Sequence, residues 1–417
     1  MDGVTDAKWL NGPADVDSGF RQRLSAAYHQ LASQETPVDY HDWVANEFDI
    51  DLSTEYAGIR IANPWGKASG QLSMTSQQVA DDVAAGLGYV VLKTVIAESE
   101  DGGQSMAEWA IPEARMRLEP ITSRRGEDGW TVSWKGRGWW GTFREYLKLV
   151  TEARALSRDS STLVVPSVKY HLPMPGETEW LEAEYEFTTR ALLEAWGEGT
   201  PMPIEKDFSP TLAGSDRSQV RETVVEWLRR VPALVRGAVP DGEVVVGLKI
   251  FNALFDDAFQ LELLQSVQQA SPSGDAADWI VYGNRLFDPD REFDGHVGVA
   301  YGGPDLSDRN LRVLATFFDQ CGPEMKPMAA TGDINSGRMA LEYAMRGASS
   351  FQLHTFFQLP AKHFTLRSGN RTQKALHELY LDPDEGLVVW LEHLARRWSL
   401  PRHPLRLADV VGRGRPD

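Results

Sequence analysis

The sequence predicts an α/β fold, a parallel (β/α)8 TIM barrel with a helical N-terminal extension and a small β excursion near the barrel mouth. Two observations predict it. From Gly58 onward, short apolar segments rich in Val, Ile and Tyr recur, and each is followed by Gly, Pro, Asn or Ser and then by a segment of helical period. These apolar segments number about eight, and alternation at that count is typical of a (β/α)8 barrel, with a doubly wound sheet as the alternative.

The segment before the barrel, residues 1–57, is predicted to be a helical extension. It contains an amphipathic stretch from Phe20 to Leu31 and then DYHDWVANEFDIDL, and it lacks alternating strand-like runs. The barrel domain is expected to span residues 58–400, and residues 401–417 are expected to form a C-terminal tail.

The expected strands and helices of the barrel alternate along the chain. Strands are expected at Trp65–Ser69, Tyr89–Val95, Leu163–Lys169, Met202–Phe208, Val244–Ile250, Trp279–Gly283, Pro327–Thr331 and Ser350–Thr355. Helices are expected at Ser76–Ala85, Thr142–Ala155, Glu177–Trp196, Ser218–Val235, Asp256–Gln269, Asp308–Gln320 and Ser336–Arg346.

Two insertions interrupt this alternation. Residues 96–141 contain ITSRRGEDGWTVSW, where polar turn residues separate short apolar strands and predict a hairpin beside the barrel mouth. Residues 284–307 contain Asp288-Pro289-Asp290 and Gly302-Gly303, and we predict an irregular loop there. Long loops on a barrel usually cover the active face.

Composition and charge narrow the class of partner. The chain has 42 Lys and Arg against 60 Asp and Glu, a formal net charge of −18. An acidic surface repels phosphate backbones and anionic lipids, so we expect a small-molecule substrate and neither a nucleic acid nor a membrane partner. A homodimer stays open as an option.

Cysteine and histidine usage restricts the cofactors. Cys321 is the single cysteine, which excludes an intramolecular disulfide, a Cys-rich zinc site and an iron–sulfur cluster held by four cysteines of this chain. No His-Glu-x-x-His motif occurs, and we expect no metal. Because the sequence has neither a long apolar run nor a signal-peptide pattern, the expected location is the cytoplasm.

Candidate functional residues lie at the carboxyl ends of the expected strands, where the βα loops of a barrel converge. These positions are Ser69-Gly70, Lys93-Thr94, Lys169 with His171, Ser209, Lys249, Asn284, Gly332 and Thr355. A lysine near a barrel mouth needs an anion or an electron-rich ring to offset its desolvation, and here three lysines end three different strands. A polyanionic or flavin-like ligand would meet that need.

Six motifs carry a resemblance to the dihydroorotate dehydrogenase family. In order along the chain they are ANPWGKASG, a strand ending LKT, a strand ending GLKI, AYGGPDLS, ATGDINSG and GASSFQLHT. The chain resembles that family over roughly residues 58–365, with no single motif decisive. The resemblance implies an FMN-dependent (β/α)8 barrel that transfers a hydride between the flavin and a carbon of its substrate.

The resemblance also assigns positions around the cofactor. The positions matching cofactor-binding residues are Ala68, Ser69, Gly70, Lys93, Thr94, Lys249, Gly302, Gly303, Gly332, Asp333, His354 and Thr355. Lys249 would stabilise negative charge at the pyrimidine edge of the reduced ring. In the alternative interpretation the small residues form only a tight βα turn, and the lysines pair with acids of this chain.

The expected phosphate site departs from the family at two positions. Asp333 stands where the family has a second glycine, and His354 stands where it has glycine before the final threonine, here Thr355. Asp333 would repel a phosphate if its side chain turned inward, whereas a partly cationic His354 would offset that repulsion.

The proton-transfer residue has three candidates. Ser209 occupies the position of the family's catalytic base, within the run from Lys206 to Thr211, and its alternative role is a turn residue before Pro210. His171 in KYHLP is second, with a structural role as its alternative, and Lys93 is third.

The residues that would hold the substrate differ from the family. The asparagines that bind the orotate ring are replaced by GRGWWGT, Lys206 and Thr211, and only Asn284 remains, so dihydroorotate is disfavoured. Trp139, Trp140 and Lys206 would suit a larger or flatter substrate, one that carries a carboxylate.

The sequence therefore predicts an FMN-dependent oxidoreductase acting on a small cyclic or unsaturated substrate. Its electron donor or acceptor is left open. The alternatives are a true dihydroorotate dehydrogenase, or a ligand-binding or lyase barrel that has lost FMN.

Overall fold

The computed structural model describes residues 7–416 apart from 36–37, 108–109, 111–115, 133–137, 174–175, 209–216, 253–255, 270–275 and 294. The chain enters through two helices and three short strands. These elements are α1 (Ser18–Ala32), α2 (Tyr40–Phe48), β1 (Ile50–Asp51), β2 (Thr54–Tyr56) and β3 (Ile59–Ile61). The extension is thus not purely helical as predicted, because strands of two and three residues are too short to show a period in the sequence.

Ten strand segments form one curled, all-parallel sheet in a mixed α/β fold. Their bounds, with those of the two hairpins inserted among them, are β4 (Trp65–Lys67), β5 (Tyr89–Val91), β6 (Val95–Ile96), β7 (Leu118–Thr122), β8 (Asp128–Val132), β9 (Leu163–Val165), β10 (Ser167–Lys169), β11 (Met202–Asp207), β12 (Val244–Phe251), β13 (Trp279–Asn284), β14 (Leu286–Phe293), β15 (His296–Tyr301), β16 (Met328–Thr331) and β17 (Ala348–Leu353). The order in the sheet is β6-β10-β11-β12-β13-β16-β17-β4-β5-β9. From β10 to β17 the neighbours in the sheet follow one another in the chain, and β17 then pairs with β4, whereas the order of a doubly wound sheet reverses at a switch point.

Helices alternate with these strands and surround the sheet. They are α3 (Ser76–Ala84), α4 (Phe143–Arg158), α5 (Glu182–Trp196), α6 (Arg217–Gly237), α7 (Asp257–Gln268), α8 (Pro304–Cys321), α9 (Gly337–Ala344), α10 (Thr355–Gln358), α11 (Arg371–Leu381) and α12 (Leu387–Trp398). Local sequence determines where several begin: Thr75 with Gln78 and Thr142 with Glu145 form capping boxes that satisfy the first backbone N–H groups of α3 and α4. Within the described residues, no helix combines the length and apolarity needed to span a membrane.

A separate aromatic cluster fills the inside of the curl at the amino ends of the strands. Tyr56 of the β2–β3 hairpin stacks on Tyr89, with ring centroids 4.1 Å apart, and lies 5.6 Å from the ring of Trp279. Gly66 and Gly247 make room for these rings, because a Cβ at either position would overlap the Tyr89 or the Trp279 ring. The hairpin therefore closes the amino end of the curled sheet.

Segments distant in sequence hold the N-terminal extension on the sheet. β1 pairs in parallel with β18 (Leu405–Arg406), a strand within the predicted C-terminal tail. Glu342 accepts hydrogen bonds from the backbone N–H groups of Trp9 and Leu10 at 2.8 and 2.6 Å, and the Arg346 guanidinium lies 3.5 Å from the centroid of the Trp9 ring.

Both insertions form antiparallel hairpins. The β7–β8 hairpin confirms the prediction for residues 96–141. The prediction of an irregular loop at residues 284–307 is wrong, because β14 and β15 pair there as antiparallel strands. Asp288 and Pro289 misled the prediction: the register of this two-stranded ribbon shifts between Asp288 and Glu292, and a proline at such an irregularity need not donate a ladder hydrogen bond.

Candidate functional site

A cleft lies where the carboxyl ends of the parallel strands meet. Its empty volume is about 1310 Å³, including solvent at its mouth. The predicted residues that line it are Ala68, Ser69, Lys93, Thr94, Lys249, Asn284, Gly302, Gly303, Gly332, Asp333, His354 and Thr355. Residues from distant parts of the sequence thus converge on one cavity.

The wall nearest β4 is fixed by hydroxyl groups. Ser69 Oγ accepts a hydrogen bond from Thr94 N at 2.8 Å and lies 2.7 Å from Thr94 Oγ1. Thr94 Oγ1 is in turn 3.0 Å from Ser167 Oγ. The Ala68 N–H is held by the Leu353 carbonyl at 2.9 Å. This chain of contacts joins three strand ends and keeps the backbone at Ala68 and Ser69 close against the cavity.

The side chain of Lys249, in β12, contacts a buried network of polar side chains. Its Nζ donates to Gln352 Oε1 at 3.0 Å and lies 3.5 Å from Glu205 Oε1. Glu205 Oε2 accepts from Gln352 Nε2 at 2.6 Å and from the Tyr56 hydroxyl at 3.1 Å. Lys249 thus pairs with an acid of the chain, as the alternative interpretation held, and it still lines the cleft.

Asp207, at the end of β11, contacts two other polar residues of the cleft wall. Its Oδ2 lies 3.6 Å from Lys169 Nζ, and its Oδ1 accepts a hydrogen bond from Asn284 Nδ2 at 3.5 Å. Lys169, a candidate from its position at the end of a strand, lines the cleft, and so does Asp207, which was not among the predicted site residues. The period of two along a strand is the signal that could have identified Asp207, because Glu205 and Asp207 share the inner face.

Lys93 and Arg285 bring two further cations to the cleft. Burial, and then repulsion from Arg285, lowers the pKa of Lys93 to about 7, so its amine exists in both protonation states near neutral pH. Arg285 follows β13 and adopts a left-handed backbone with φ of 41°. Burial lowers the pKa of Arg285 to about 10, with Asp207 acting in the opposite direction, so the guanidinium stays charged. Sequence analysis missed Arg285.

The loop after β16 forms the expected phosphate end. Gly332 and Asp333 both have left-handed φ angles, of 112° and 52°, a conformation that favours glycine at each position. The Gly332 carbonyl accepts a hydrogen bond from the Tyr343 hydroxyl at 2.8 Å, and Asp333 Oδ2 accepts one from Ser307 Oγ at 3.2 Å. Burial raises the pKa of Asp333 to about 7, against the effect of the Ser307 hydrogen bond. Its carboxyl group is therefore partly protonated at neutral pH.

His354 does not supply the positive charge that the sequence analysis assigned to it. Burial, and then the charges of Lys93 and Arg285, hold the pKa of His354 well below its usual range. The ring is neutral, with Nε2 2.7 Å from Gln358 Nε2 and Nδ1 buried without a partner among the described residues. A Cβ on Gly70 would overlap this ring, so Gly70 serves to admit His354 and is not itself in the cleft wall.

The two hairpins cover the mouth of the cleft. Trp130, Thr131 and Val132 of β8 line it, together with Gly302 and Gly303 after β15. Thr131 Oγ1 accepts a hydrogen bond from Gly302 N at 2.8 Å, which joins the hairpins to each other. Both insertions therefore contribute to the site.

Several predicted residues lie outside the cleft wall. The Lys206 side chain is buried on the opposite face of β11, where Nζ donates to the Asp207 carbonyl at 2.9 Å and lies 4.7 Å from the centroid of the Phe208 ring. Its assignment to the substrate is wrong, because successive residues of a strand face opposite sides and Asp207 takes the inner one.

The predicted base His171 and the predicted aromatic residues Trp139 and Trp140 lie outside the cleft lining. Nε2 of His171 lies 4.0 Å from Glu177 Oε2, outside the cleft lining, so the assignment of this ring to the pocket is wrong. Trp139 donates from Nε1 to the Thr142 carbonyl at 3.0 Å and packs edge-on against Tyr146, and it too is outside the lining. Trp140 is likewise outside it and is 38% exposed. Ser209 lies outside the described residues.

Comparison with known proteins gives no identification. No protein-family model matches the chain, and no curated protein matches it in sequence. Among the described residues, no group of three or more His, Cys, Asp or Glu side chains is arranged to hold a metal ion. Function is therefore argued from the geometry of the cleft.

Proposed function

We propose that the parallel sheet closes into a (β/α)8 barrel. The order of the sheet supports closure, because β5 and β6 are parts of one pass of the chain, and β9 and β10 are parts of the next. β5 pairs with β9 at one end of the order, and β6 pairs with β10 at the other. With each of these passes counted once, the remaining segments complete the set of eight strands that the sequence predicts.

We propose further that the protein is an FMN-dependent oxidoreductase acting on a carbon–carbon bond. The observation that carries this proposal is the convergence of Lys93, Lys249 and Thr94, with the close backbone at Ala68 and Ser69, on one cleft at the carboxyl ends of the strands. In the family that the sequence resembles, these positions surround the flavin ring.

The residues present fit FMN at both of its ends. Around the ring, Lys249 and Lys93 would supply positive charge, while Met116, Trp130 and Leu353 of the lining would supply apolar contact surface. At the phosphate end a charged Asp333 would be unfavourable. A pKa raised to about 7 by burial removes that obstacle, because a nearby phosphate favours the protonated carboxyl group, which can donate a hydrogen bond.

FMN, when bound, accepts a hydride from a substrate carbon, or returns one in the reverse direction. Lys249 faces the cleft with Glu205 fixed beneath it, so its cation is already oriented towards charge that develops during the reaction. Lys93, with a pKa of about 7, is suited to take the accompanying proton or to deliver it. The hairpins at the mouth limit access of water.

The test is retention of flavin by the purified protein. We expect a flavin absorption spectrum, FMN released on denaturation, and rebinding of FMN that quenches its fluorescence. Lys249→Met should weaken rebinding by about tenfold or more, since a charged hydrogen-bond donor is lost. Lys148→Met is the matched control, because that lysine is 76% exposed on α4. A protein that neither retains nor rebinds FMN would overturn the proposal.

A second function is favoured by Lys93 alone. A buried amine with a pKa near 7 is also the nucleophile of enzymes that form a Schiff base with a carbonyl substrate. Borohydride reduction in the presence of a small 2-oxo acid or aldehyde would then leave a covalent adduct on Lys93, found by peptide mass. Such an adduct in a protein that does not bind FMN would favour a lyase.

A further inference from the structure

Two buried lysines of the cleft have different electrostatic surroundings. Lys249 Nζ lies 3.5 Å from Glu205 Oε1, and both side chains are almost fully buried. That oxygen has no hydrogen-bond partner among the described residues, so its charge acts directly on the Lys249 ammonium. Lys93 is also buried, but there the attraction of Asp207 is smaller than the effects of burial and of repulsion from Arg285.

Hydrogen bonds fix Glu205 in position and orient its partner. Glu205 Oε2 accepts from Gln352 Nε2 at 2.6 Å and from the Tyr56 hydroxyl at 3.1 Å. Gln352 Nε2 also lies 2.8 Å from the Tyr56 hydroxyl, so the amide oxygen of Gln352 is the atom that faces Lys249 and accepts from its Nζ at 3.0 Å. Gln352 and Lys249 line the cleft, whereas Glu205 and Tyr56 lie outside its lining. The position of Glu205 is therefore set by groups beneath the ligand.

We propose that Glu205 is a positioning residue that gives the two cleft lysines different roles, because it keeps Lys249 a charged hydrogen-bond donor and leaves proton transfer to Lys93. A buried amine keeps its proton when a carboxylate faces it and releases it more readily without one. Two groups of the same type then divide the electrostatic and the acid–base work between them. The constant charge of Lys249 does not rest on the proposed function, whereas its action on the flavin does.

No other group described near Lys249 has been found to take the place of this carboxylate. Lys93 and His354 are titratable groups of the cleft on which the charge of Lys249 acts, and in both cases it opposes protonation. Both are bases, so protonation of either would add positive charge beside Lys249 and would not compensate it. The negative charge that stabilises the Lys249 ammonium is thus assigned to Glu205.

Acylation of the purified protein without FMN tests this assignment. Only the neutral amine reacts, so the rate of modification of Lys249 at a pH of about 8, followed by peptide mass, reports how readily it loses its proton. Glu205→Gln removes the charge, and Glu205→Asp keeps it. Glu184→Gln is the matched control, because Glu184 is also buried and accepts hydrogen bonds from Ser105 N and His171 N.

We expect Glu205→Gln to raise the acylation rate of Lys249 at least about tenfold, and Glu205→Asp and Glu184→Gln to change it less than about threefold. Lys148, which is 76% exposed, should react at the same rate in every variant. An unchanged rate in Glu205→Gln would overturn the proposal. So would an equal increase in Glu205→Asp or in Glu184→Gln, since its cause would then be looser packing and not the lost charge.

With FMN bound, the reduction potential of the flavin gives a second measurement. In the parent, Lys249 is charged before and after reduction and takes up no proton. In Glu205→Gln its amine should gain a proton when negative charge appears on the ring. The potential should then fall with pH more steeply than in the parent, by up to about 30 mV per pH unit for one additional proton and two electrons. Identical slopes in the two proteins would overturn the role of Glu205 towards the flavin.

The two proposals can fail separately. If FMN does not bind but Glu205→Gln raises the acylation rate of Lys249, the assignment of Glu205 stands and the oxidoreductase proposal falls. If FMN binds but the acylation rate is unchanged, the oxidoreductase proposal stands and the assignment of Glu205 falls.

Discussion

Replacing Glu205 by glutamine tests the network beneath the candidate site. Glu205 is fully buried, its Oε1 lies 3.5 Å from Lys249 Nζ, and its Oε2 accepts two hydrogen bonds. At an effective dielectric constant of 20, a pair of unit charges at that distance attracts by about 5 kcal/mol. Glu205→Gln removes the charge and leaves Lys249 buried without it, which costs about 3–5 kcal/mol.

The assay is thermal unfolding of the purified protein. At about 2 °C per kcal/mol for a large chain, Glu205→Gln should lower the melting temperature by about 6–10 °C. Glu205→Gln with Lys249→Met should recover part of that loss, because the double variant no longer buries an unpaired cation. Glu186→Gln on α5 is the control, since its pair with Arg190 is exposed and contributes less than about 1 kcal/mol. A melting temperature for Glu205→Gln within about 1 °C of the parent would refute the role assigned to this network.

Four further predictions concern the cleft and the helix packing. The Lys93 amine should react with an acylating reagent with a midpoint near pH 7, and a midpoint near pH 10 would contradict its burial beside Arg285. Because the unfolded chain keeps that proton to higher pH, Lys93 should also make the stability of the protein rise with pH between about 7 and 10. FMN affinity should fall as the pH rises through 7, because Asp333 ionises and Lys93 loses its proton over the same range, and Asp333→Asn should make the fall smaller, whereas an identical pH profile in both proteins would exclude repulsion by Asp333. Gly337→Ala should lower the melting temperature strongly, because its Cβ would lie 1.9 Å from Leu387 N, whereas Gly237→Ala has open space and should be close to neutral.

Much of the fold could be predicted from local sequence. The run from Val244 to Ile250 is rich in β-branched apolar residues, and the structure places β12 over Val244–Phe251. Such runs stand out because both faces of a parallel strand are buried. The β14–β15 hairpin was missed, because in a two-stranded ribbon proline and glycine resemble loop residues.

The site was predicted only in part, for reasons that lie in long-range packing. Lys249 and Lys93 end their strands, so position in the sequence was enough to place them in the cleft. Burial first, and then cations from other parts of the chain, lower the pKa of His354, and the residues near it in sequence show neither effect. Arg285 follows β13 in a left-handed backbone conformation, which usually belongs to glycine, so the sequence at this position did not indicate the turn. The sequence analysis assigned Lys206 to the substrate site. Only one of two successive strand residues can face inward, and in the structure that residue is Asp207.

The pairing of β1 with β18 determines when the N-terminal segment can fold. Three partners of this segment, Glu342, Arg346 and β18, come from the last quarter of the chain, and Trp9 is 333 positions from Glu342. At about 5–20 residues per second, synthesis of that interval takes roughly 15–70 s. During this time the apolar face of α1, with Leu24 and Leu31, has no native surface to cover it. Docking of the N-terminal helices is thus a late event in biosynthesis, because the surface that buries them is made after most of the chain.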